Sequence, residues 1–224
     1  MFFRGDMRVK VCGITNLDDA LICVNAGADA LGFNFCQSSK RYIDPQDAKE
    51  IIKKLPPFIN KVGVFANEFI GPIKYIADFT GIDTIQFSGL ETPEFCNQFL
   101  DYQFIKTIHL GTRRHTKNSI KLILHRTREY NTNNIMFDSG SFNTLGGTGK
   151  PFDWNIFEIL KDNEIIKDKN IIIAGGLNCD NIKDILAIYK PYAVDVASGV
   201  ESEPGIKDAK KLKRFISIIK KFRE

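Results

Sequence analysis

Two short stretches of the chain hold side chains able to move protons. In Arg8-Val9-Lys10-Val11-Cys12-Gly13, strand geometry sends Val9 and Val11 to one face and Lys10 and Cys12 to the other. A thiol at the end of such a strand can act as a base, because its reference pKa of about 8.5 lies near enough to neutrality for adjacent positive charge to make it substantially thiolate. The plainer alternative is a small buried hydrophobe. In Asn134-Ile135-Met136-Phe137-Asp138 an acid ends an apolar run. A carboxyl screened from water there can hold its proton at neutral pH, or it simply caps a strand. Asp195, within Ala193-Val194-Asp195-Val196-Ala197, lies opposite its flanking valines. A buried carboxylate needs a partner, and Lys10 on a neighbouring first strand would supply one.

Binding groups surround these candidates. Arg41, in Ser38-Ser39-Lys40-Arg41-Tyr42, can form a two-pronged bond with a substrate carboxylate, Lys40 offering a looser point charge; a solvated loop cation is the alternative. Ile171-Ile172-Ile173-Ala174 leads into Gly175-Gly176, and the later strand 192–197 leads into Ser198-Gly199. Two glycine turns at the carboxyl ends of successive parallel strands suit an anion held by bare N–H groups, as at the last two strands of eight-stranded α/β barrels. Two ordinary tight turns are the alternative. His109, His115 and His125 have no ligand spacing, so metal chemistry is not expected.

The elements that must position these residues follow one beat. Strands are expected at 8–13, 28–35, 61–65, 84–87, 104–108, 134–138, 171–174 and 192–197. Helices fall between them: from a Thr15 or Asn16 cap to Ala26 with Gly27 as the stop, from Asp44-Pro45 to Leu55, then 68–79, 92–100, 116–128 and 154–162, one capped by Asn178, and a last one. The last carries Leu212, Phe215, Ile216, Ile219 and Phe222 on one stripe, with its lysines and arginines on the solvated face. Strict β/α alternation demands a parallel sheet. The fold class expected is α/β, one (β/α)8 TIM barrel over residues 1–224; an open doubly wound sheet would also accept the alternation. Between strand six and the next helix, residues 139–150, with Gly140, Gly146, Gly147 and Gly149, run longer than most βα loops and read as an active-site lid, a floppy surface loop being the alternative.

Composition narrows the class. With 224 residues, 43% hydrophobic and 26% charged, the chain can bury a sizeable core, and it has no run long enough to span a bilayer and no secretory leader pattern at its start. The five scattered cysteines form no C-x-x-C pair, which argues against a disulfide framework or zinc site and fits a reducing, cytoplasmic setting. A net charge of +4 without a binding motif gives no reason to expect nucleic acid.

Taken together, V-K-V-C-G-I-T, G-A-D-A-L-G-F-N-F with S-K-R-Y-I, K-V-G-V-F, G-G-T-G-K-P-F-D-W, A-G-G-L-N and V-D-V-A-S-G-V-E-S-E-P-G-I-K-D resemble phosphoribosylanthranilate isomerase, of tryptophan biosynthesis, in order and spacing over nearly the whole chain. The resemblance implies a cofactor-free barrel that is a monomer or homodimer acting on a phosphorylated aminosugar. It implies Cys12 as general base, Asp138 as general acid and Arg41 on the anthranilate carboxylate. The backbone around Gly175, Gly176, Ser198 and Gly199 would hold phosphate, and Asp195 is grouped with the substrate-binding residues. One departure is Ser88, in Gln86-Phe87-Ser88-Gly89, where the family usually has histidine. The competing expectations are another phosphosugar barrel enzyme, such as an indole-glycerol-phosphate synthase or a pentose-phosphate epimerase, and a phosphosugar-binding barrel without turnover.

Overall fold

The computed structural model describes residues 6–111, 115–140 and 153–222. Eight strands, β1 (Arg8–Cys12), β2 (Ala30–Asn34), β3 (Asn60–Phe65), β4 (Thr84–Phe87), β5 (Gln103–His109), β6 (Asn134–Asp138), β7 (Asn170–Ile173) and β8 (Ala193–Val196), pair in parallel in chain order. β1 also pairs with β8, which closes the ring. The open-sheet alternative is thereby excluded. Closure sets Lys10 level with Asp195 in the β1–β8 register and Cys12 level with Gly32 in the β1–β2 register.

Helices α1 (Leu17–Ala26), α2 (Pro45–Ile52), α3 (Ile70–Thr80), α4 (Pro93–Cys96) and α5 (Lys117–Glu129) follow the first five strands. Their starts obey local chemistry: Asn16, Asp44, Thr92 and Thr116 each accept a backbone N–H of the first turn, satisfying donors that have no partner within the helix. Gly27 ends α1 at φ 101°, a conformation that disfavours any side chain. Where one helix is expected over 154–162, the chain forms two short ones, α6 (Ile156–Leu160) and α7 (Glu164–Lys167), because Asn163 caps a fresh turn. α8 (Ile182–Ile188) begins later than an Asn178 cap predicts. Asn178 instead accepts from the N–H groups of Asp180 and Asn181 in the turn before it. After β8 comes a small hairpin, β9 (Glu201–Glu203) with β10 (Ile206–Lys207), that sequence patterning does not reveal, and then α9 (Ala209–Lys221). Leu212, Phe215, Ile216 and Ile219 of α9 are buried as its stripe requires.

Period-two alternation divides the core into two layers. Outward-facing strand residues such as Val9, Val11, Phe33, Phe87, Phe137 and Ile173 join the helices in one large cluster. Inward-facing Val62, Ile105, Met136, Ile172, Ala174 and Ala193 plug the barrel below the site. Polar residues take the interior above this plug, where the strands end. From residue 141 on, the connection read as a lid lies outside the described residues. No helix among the described residues is long and apolar enough to cross a membrane.

Candidate active site

Five inward-facing titratable groups, Lys10, Cys12, His109, Asp138 and Asp195, share the carboxyl end of the barrel. Lys10 and Asp195 are both buried, with Nζ donating to Oδ1 at 2.9 Å, which makes the pair expected from their strand faces. Cys12 stands one inward position above Lys10, where Gly32 on β2 makes room: a Cβ at Gly32 would come within 2.8 Å of Sγ and 3.0 Å of the Lys10 Nζ. Burial pushes the Cys12 thiol up, and Asp195 adds to this; the ammonium groups of Lys10 and Lys207 pull it down but do not win. A largely ionised resting thiol, expected from adjacent positive charge, is therefore not what the site favours, because burial outweighs the pull of the ammonium groups and Asp195 adds to it.

Asp138 ends β6 on the same inner face. Burial raises its pKa first of all; His109 opposes this, Asp195 reinforces it, and the N–H groups of Gly140 and Ser139 pull it down. The net upward direction agrees with a carboxyl that keeps its proton. Gly175 packs against it: φ is 85°, and a Cβ there would run into Ser139 and come within 2.5 Å of the Asp138 Oδ1. His109 closes the other side, with Nδ1 3.8 Å from Asp138 Oδ2. Asp195 acts electrostatically on both Cys12 and Asp138, raising each.

Arg41 already has a partner. Its Nε and one terminal nitrogen donate to both oxygens of Glu201 on β9 at 2.9 and 2.6 Å, and the Lys207 ammonium donates to Glu201 at 2.7 Å. Five donors sit on a guanidinium, so this fork uses one edge and leaves the other available. Glu201 orients Arg41. Gly13, at φ 79°, provides the space, since a Cβ there would strike the Arg41 chain. Lys207 also donates to the Cys12 carbonyl at 2.6 Å, tying the hairpin to the end of β1. Glu201 and Lys207 are the residues that sequence reasoning misses. Their signal was a pair of charges in V-E-S-E-P-G-I-K, which reads as a solvated turn.

The two glycine turns meet. Gly175 and Gly176 have φ of 85° and 67°, a left-handed backbone that disfavours any side chain, and the Gly176 carbonyl is taken by the Asn181 amide at 2.8 Å. Ser198-Gly199 enters a single 3-10 turn, and a Cβ on Gly199 would collide with the Leu177 carbonyl.

A family model for N-(5'-phosphoribosyl)anthranilate isomerase matches residues 9–218. The chain belongs to that family. The N-(5'-phosphoribosyl)anthranilate isomerase of Pelobacter propionicus is 41% identical over 221 residues, covering 97% of each chain. That of Geobacter metallireducens is 42% identical over 210 residues, covering 94% of this chain and 97% of its own. Among solved structures, phosphoribosyl anthranilate isomerase from Thermotoga maritima superposes with a TM-score of 0.83 at 38% identity, over 96% of this chain and 99% of its own. A phosphoribosyl anthranilate isomerase in complex with reduced 1-(o-carboxyphenylamino)-1-deoxyribulose 5-phosphate superposes at 0.81 with 36% identity and the same coverage.

Within this isomerase, Ser88 occupies a polar shelf on the inner wall. Its hydroxyl accepts from the Gln86 amide at 2.9 Å and lies 3.2 Å from Thr107 Oγ1, while its backbone carbonyl faces His109. The imidazole in this isomerase's mouth thus comes from β5 rather than from the end of β4.

Proposed function

We propose that this member of the phosphoribosylanthranilate isomerase family rearranges N-(5-phosphoribosyl)anthranilate to 1-(2-carboxyphenylamino)-1-deoxyribulose 5-phosphate, in tryptophan biosynthesis, with Asp138 as general acid and Cys12 as general base. The observation that carries the assignment is the pairing of Asp138, whose pKa burial pushes up, with a thiol beside a lysine on one barrel mouth. The reaction is redox-neutral and needs only proton transfers. Asp138 gives its proton to the furanose ring oxygen as the C1'–oxygen bond opens, and the anthranilate nitrogen stabilises the protonated Schiff base so formed. Cys12, as thiolate, removes the C2' proton. The enolamine tautomerises to the ketone.

The remaining groups bind. Arg41 takes the anthranilate carboxylate on the guanidinium edge that Glu201 leaves available. Consecutive N–H groups of Gly175-Gly176, with Ser198-Gly199 packed against that turn, take the phosphate. Asp195 fixes Lys10 beneath the ribose. The setting is cytoplasmic, and the enzyme acts as a monomer or homodimer; the relative in Thermotoga maritima is described as dimeric.

Fresh phosphoribosylanthranilate fluoresces and its decay reports turnover. Each positioned proton transfer contributes about 10²–10⁴ in rate. Wild type is expected to consume substrate steadily, and Cys12→Ala and Asp138→Asn to lose at least about a hundredfold in kcat while still binding product analogue. Equal rates in all three would remove both assignments.

A further inference from the structure

Lys106, in the middle of β5, and Glu91, just before α4, are buried charges that the proposed reaction does not use. Lys106 Nζ donates to Glu91 Oε2 at 2.7 Å, and neither side chain is more than 3% exposed. Alternation along β5 turns Ile105, Thr107 and His109 inward and Lys106 outward, so the pair lies behind the wall of the mouth. Desolvation cancels much of the attraction between buried charges, which leaves the pair's role to what else it holds.

It holds backbone. Lys106 Nζ also donates to the carbonyls of Phe87 and Gly89, at 3.4 and 2.8 Å, the residues on either side of Ser88. The Glu91 carboxylate accepts the N–H of Gly89 at 3.0 Å and that of Asn67, in the loop after β3, at 2.8 Å. Asn67 Oδ1 in turn accepts the Leu90 N–H at 2.6 Å. Asn67 has a φ of 55°, a left-handed conformation that asparagine tolerates better than most residues, and a Cβ on Gly89 would strike the Asn67 side chain. The loops after β3 and β4 are thus locked to each other and to the back of β5. Ser88, at the centre of the lock, turns its hydroxyl inward to Gln86 and Thr107.

Strand order says what this wall faces. In a ring of eight strands, β3 stands across from β7 and β4 across from β8. The glycine turns assigned to the phosphate follow β7 and β8. A substrate with phosphate at one end and anthranilate at the other, its ribose between Cys12 and Asp138, therefore ends against the loops after β3 and β4, where Arg41 enters from the loop after β2.

We propose that Lys106 and Glu91 are positioning residues, a buried clamp that fixes the wall opposite the phosphate turns and so sets the length of the cleft into which the anthranilate end fits. The inference rests on the isomerase reading above. Neither side chain touches substrate; both act through the backbone on either side of Ser88. With the phosphate anchored at the far end and the proton-transfer groups on other strands, a wall that drifts weakens binding of the aromatic end before it slows the chemistry.

The test uses the intact protein and the double variant Lys106→Met with Glu91→Gln. Both charges go together, so none stays buried without its partner, and the new amide oxygen can still accept from Asn67, while the bonds to the carbonyls flanking Ser88 are lost. With phosphoribosylanthranilate as substrate, KM should rise about tenfold and kcat stay within about threefold of wild type. Inorganic phosphate competes for the turns after β7 and β8 alone, so its inhibition constant should stay within about twofold. Urea unfolding checks that the variant is folded under assay conditions. Lys106→Arg keeps the donors, and an adjoining cavity of about 220 Å³ can take its extra bulk; its KM should stay within about threefold of wild type. An unchanged KM in the folded double variant overturns the proposal, and so does a KM that rises in step with the phosphate constant, which would mean a barrel loosened throughout. A wild type that neither consumes phosphoribosylanthranilate nor binds the reduced product analogue overturns the isomerase reading, and this proposal with it. If the double variant does not fold, Asn67→Gly decides, since it permits the same φ and removes the side-chain bond to Leu90. Its KM should rise about threefold with phosphate inhibition unmoved, and an unchanged KM overturns the clamp.

Discussion

Replacing Lys10 with methionine separates two jobs that the Lys10–Asp195 pair performs. The pair is buried on both sides, so Lys10→Met leaves the Asp195 carboxylate without its cation in the interior. Breaking such a pair from one side costs about 3–5 kcal/mol, a large part of the roughly 5–15 kcal/mol that holds an ordinary domain together. Removing both charges, as in Lys10→Met with Asp195→Asn, should restore all but about 1 kcal/mol, since an amide needs only hydrogen bonds.

The second job concerns Cys12. Its sulfur and the Lys10 nitrogen lie within about 6 Å of each other, judged from the space over Gly32 that both border. At an effective dielectric near 20, unit charges at that range interact by about 3 kcal/mol, roughly a hundredfold in thiolate population. Asp195 opposes this, so the double variant loses less than the single one. Per folded molecule, thiolate reactivity should fall in the order wild type, double variant, single variant, while stability should place the double variant close to wild type and the single variant well below. Urea unfolding gives the stabilities. The pH dependence of iodoacetamide alkylation at Cys12, read by mass spectrometry of its peptide, gives the thiolate. A double variant no more stable than Lys10→Met, or an alkylation profile identical in all three proteins, would refute the reasoning.

Three more changes probe separate parts of the site. Glu201→Gln removes the orienting partner of Arg41 and the countercharge of Lys207; KM should rise about tenfold in steady-state assays, with a stability loss of about 3 kcal/mol. Burial pushes Glu201 up, but Arg41 and Lys207 outweigh it and hold its pKa below the usual value. Its stabilisation is therefore present above the unfolded pKa of about 4.3 and lost as pH falls through the lower folded value, so Glu201→Gln should show a shallower acid-denaturation curve. Asp138 behaves oppositely: the folded state binds its proton more tightly than the unfolded chain, so wild type loses stability as pH rises from about 3.9 through the raised folded value. Asp138→Asn should match wild type in urea near pH 4 and exceed it at pH 8. Gly199→Ala forces the 198–200 turn away from the Leu177 carbonyl, which should cost about 1–3 kcal/mol and raise KM several-fold, read from unfolding and initial-rate curves.

Most of the framework could be read directly from residues. Asn16, Asp44, Thr92 and Thr116 announce helix starts because capping is a local reaction between a short side chain and the next backbone turn. Strand alternation alone set Lys10 and Cys12 inside, and hence Lys10 against Asp195 once the ring closed. What failed to show was long-range. Glu201 and Lys207 look like surface charges until the hairpin folds them against Arg41 and the Cys12 carbonyl, residues far away in sequence. Asn178 looked like a helix cap because its type fits; its side chain serves the preceding turn instead, where the Gly176 carbonyl also needs donors. The Cys12 titration could not be inferred from a nearby lysine, because the decisive quantity was how deeply the closed barrel buries the thiol, with Asp195 adding to that upward push.

On the proposed assignment, the electrostatics also fix the order of events. Both Asp138 and Cys12 are biased toward their protonated forms in the resting site. The acid is thus ready before the base, and the first transfer has to be the one from Asp138 to the ring oxygen. That transfer creates a cationic Schiff base next to Cys12. A positive charge within a few ångströms favours the thiolate, as Lys10 does from below, so the base becomes competent at the moment the C2' proton becomes acidic. A thiolate formed earlier would face a neutral sugar in a site where burial and Asp195 both work against it. Burial, with Asp195 offsetting Lys10, therefore favours the protonated Cys12 at rest and leaves the substrate's own developing charge to draw it toward the thiolate, which is why removing Lys10 should slow proton abstraction from C2' more than it weakens binding.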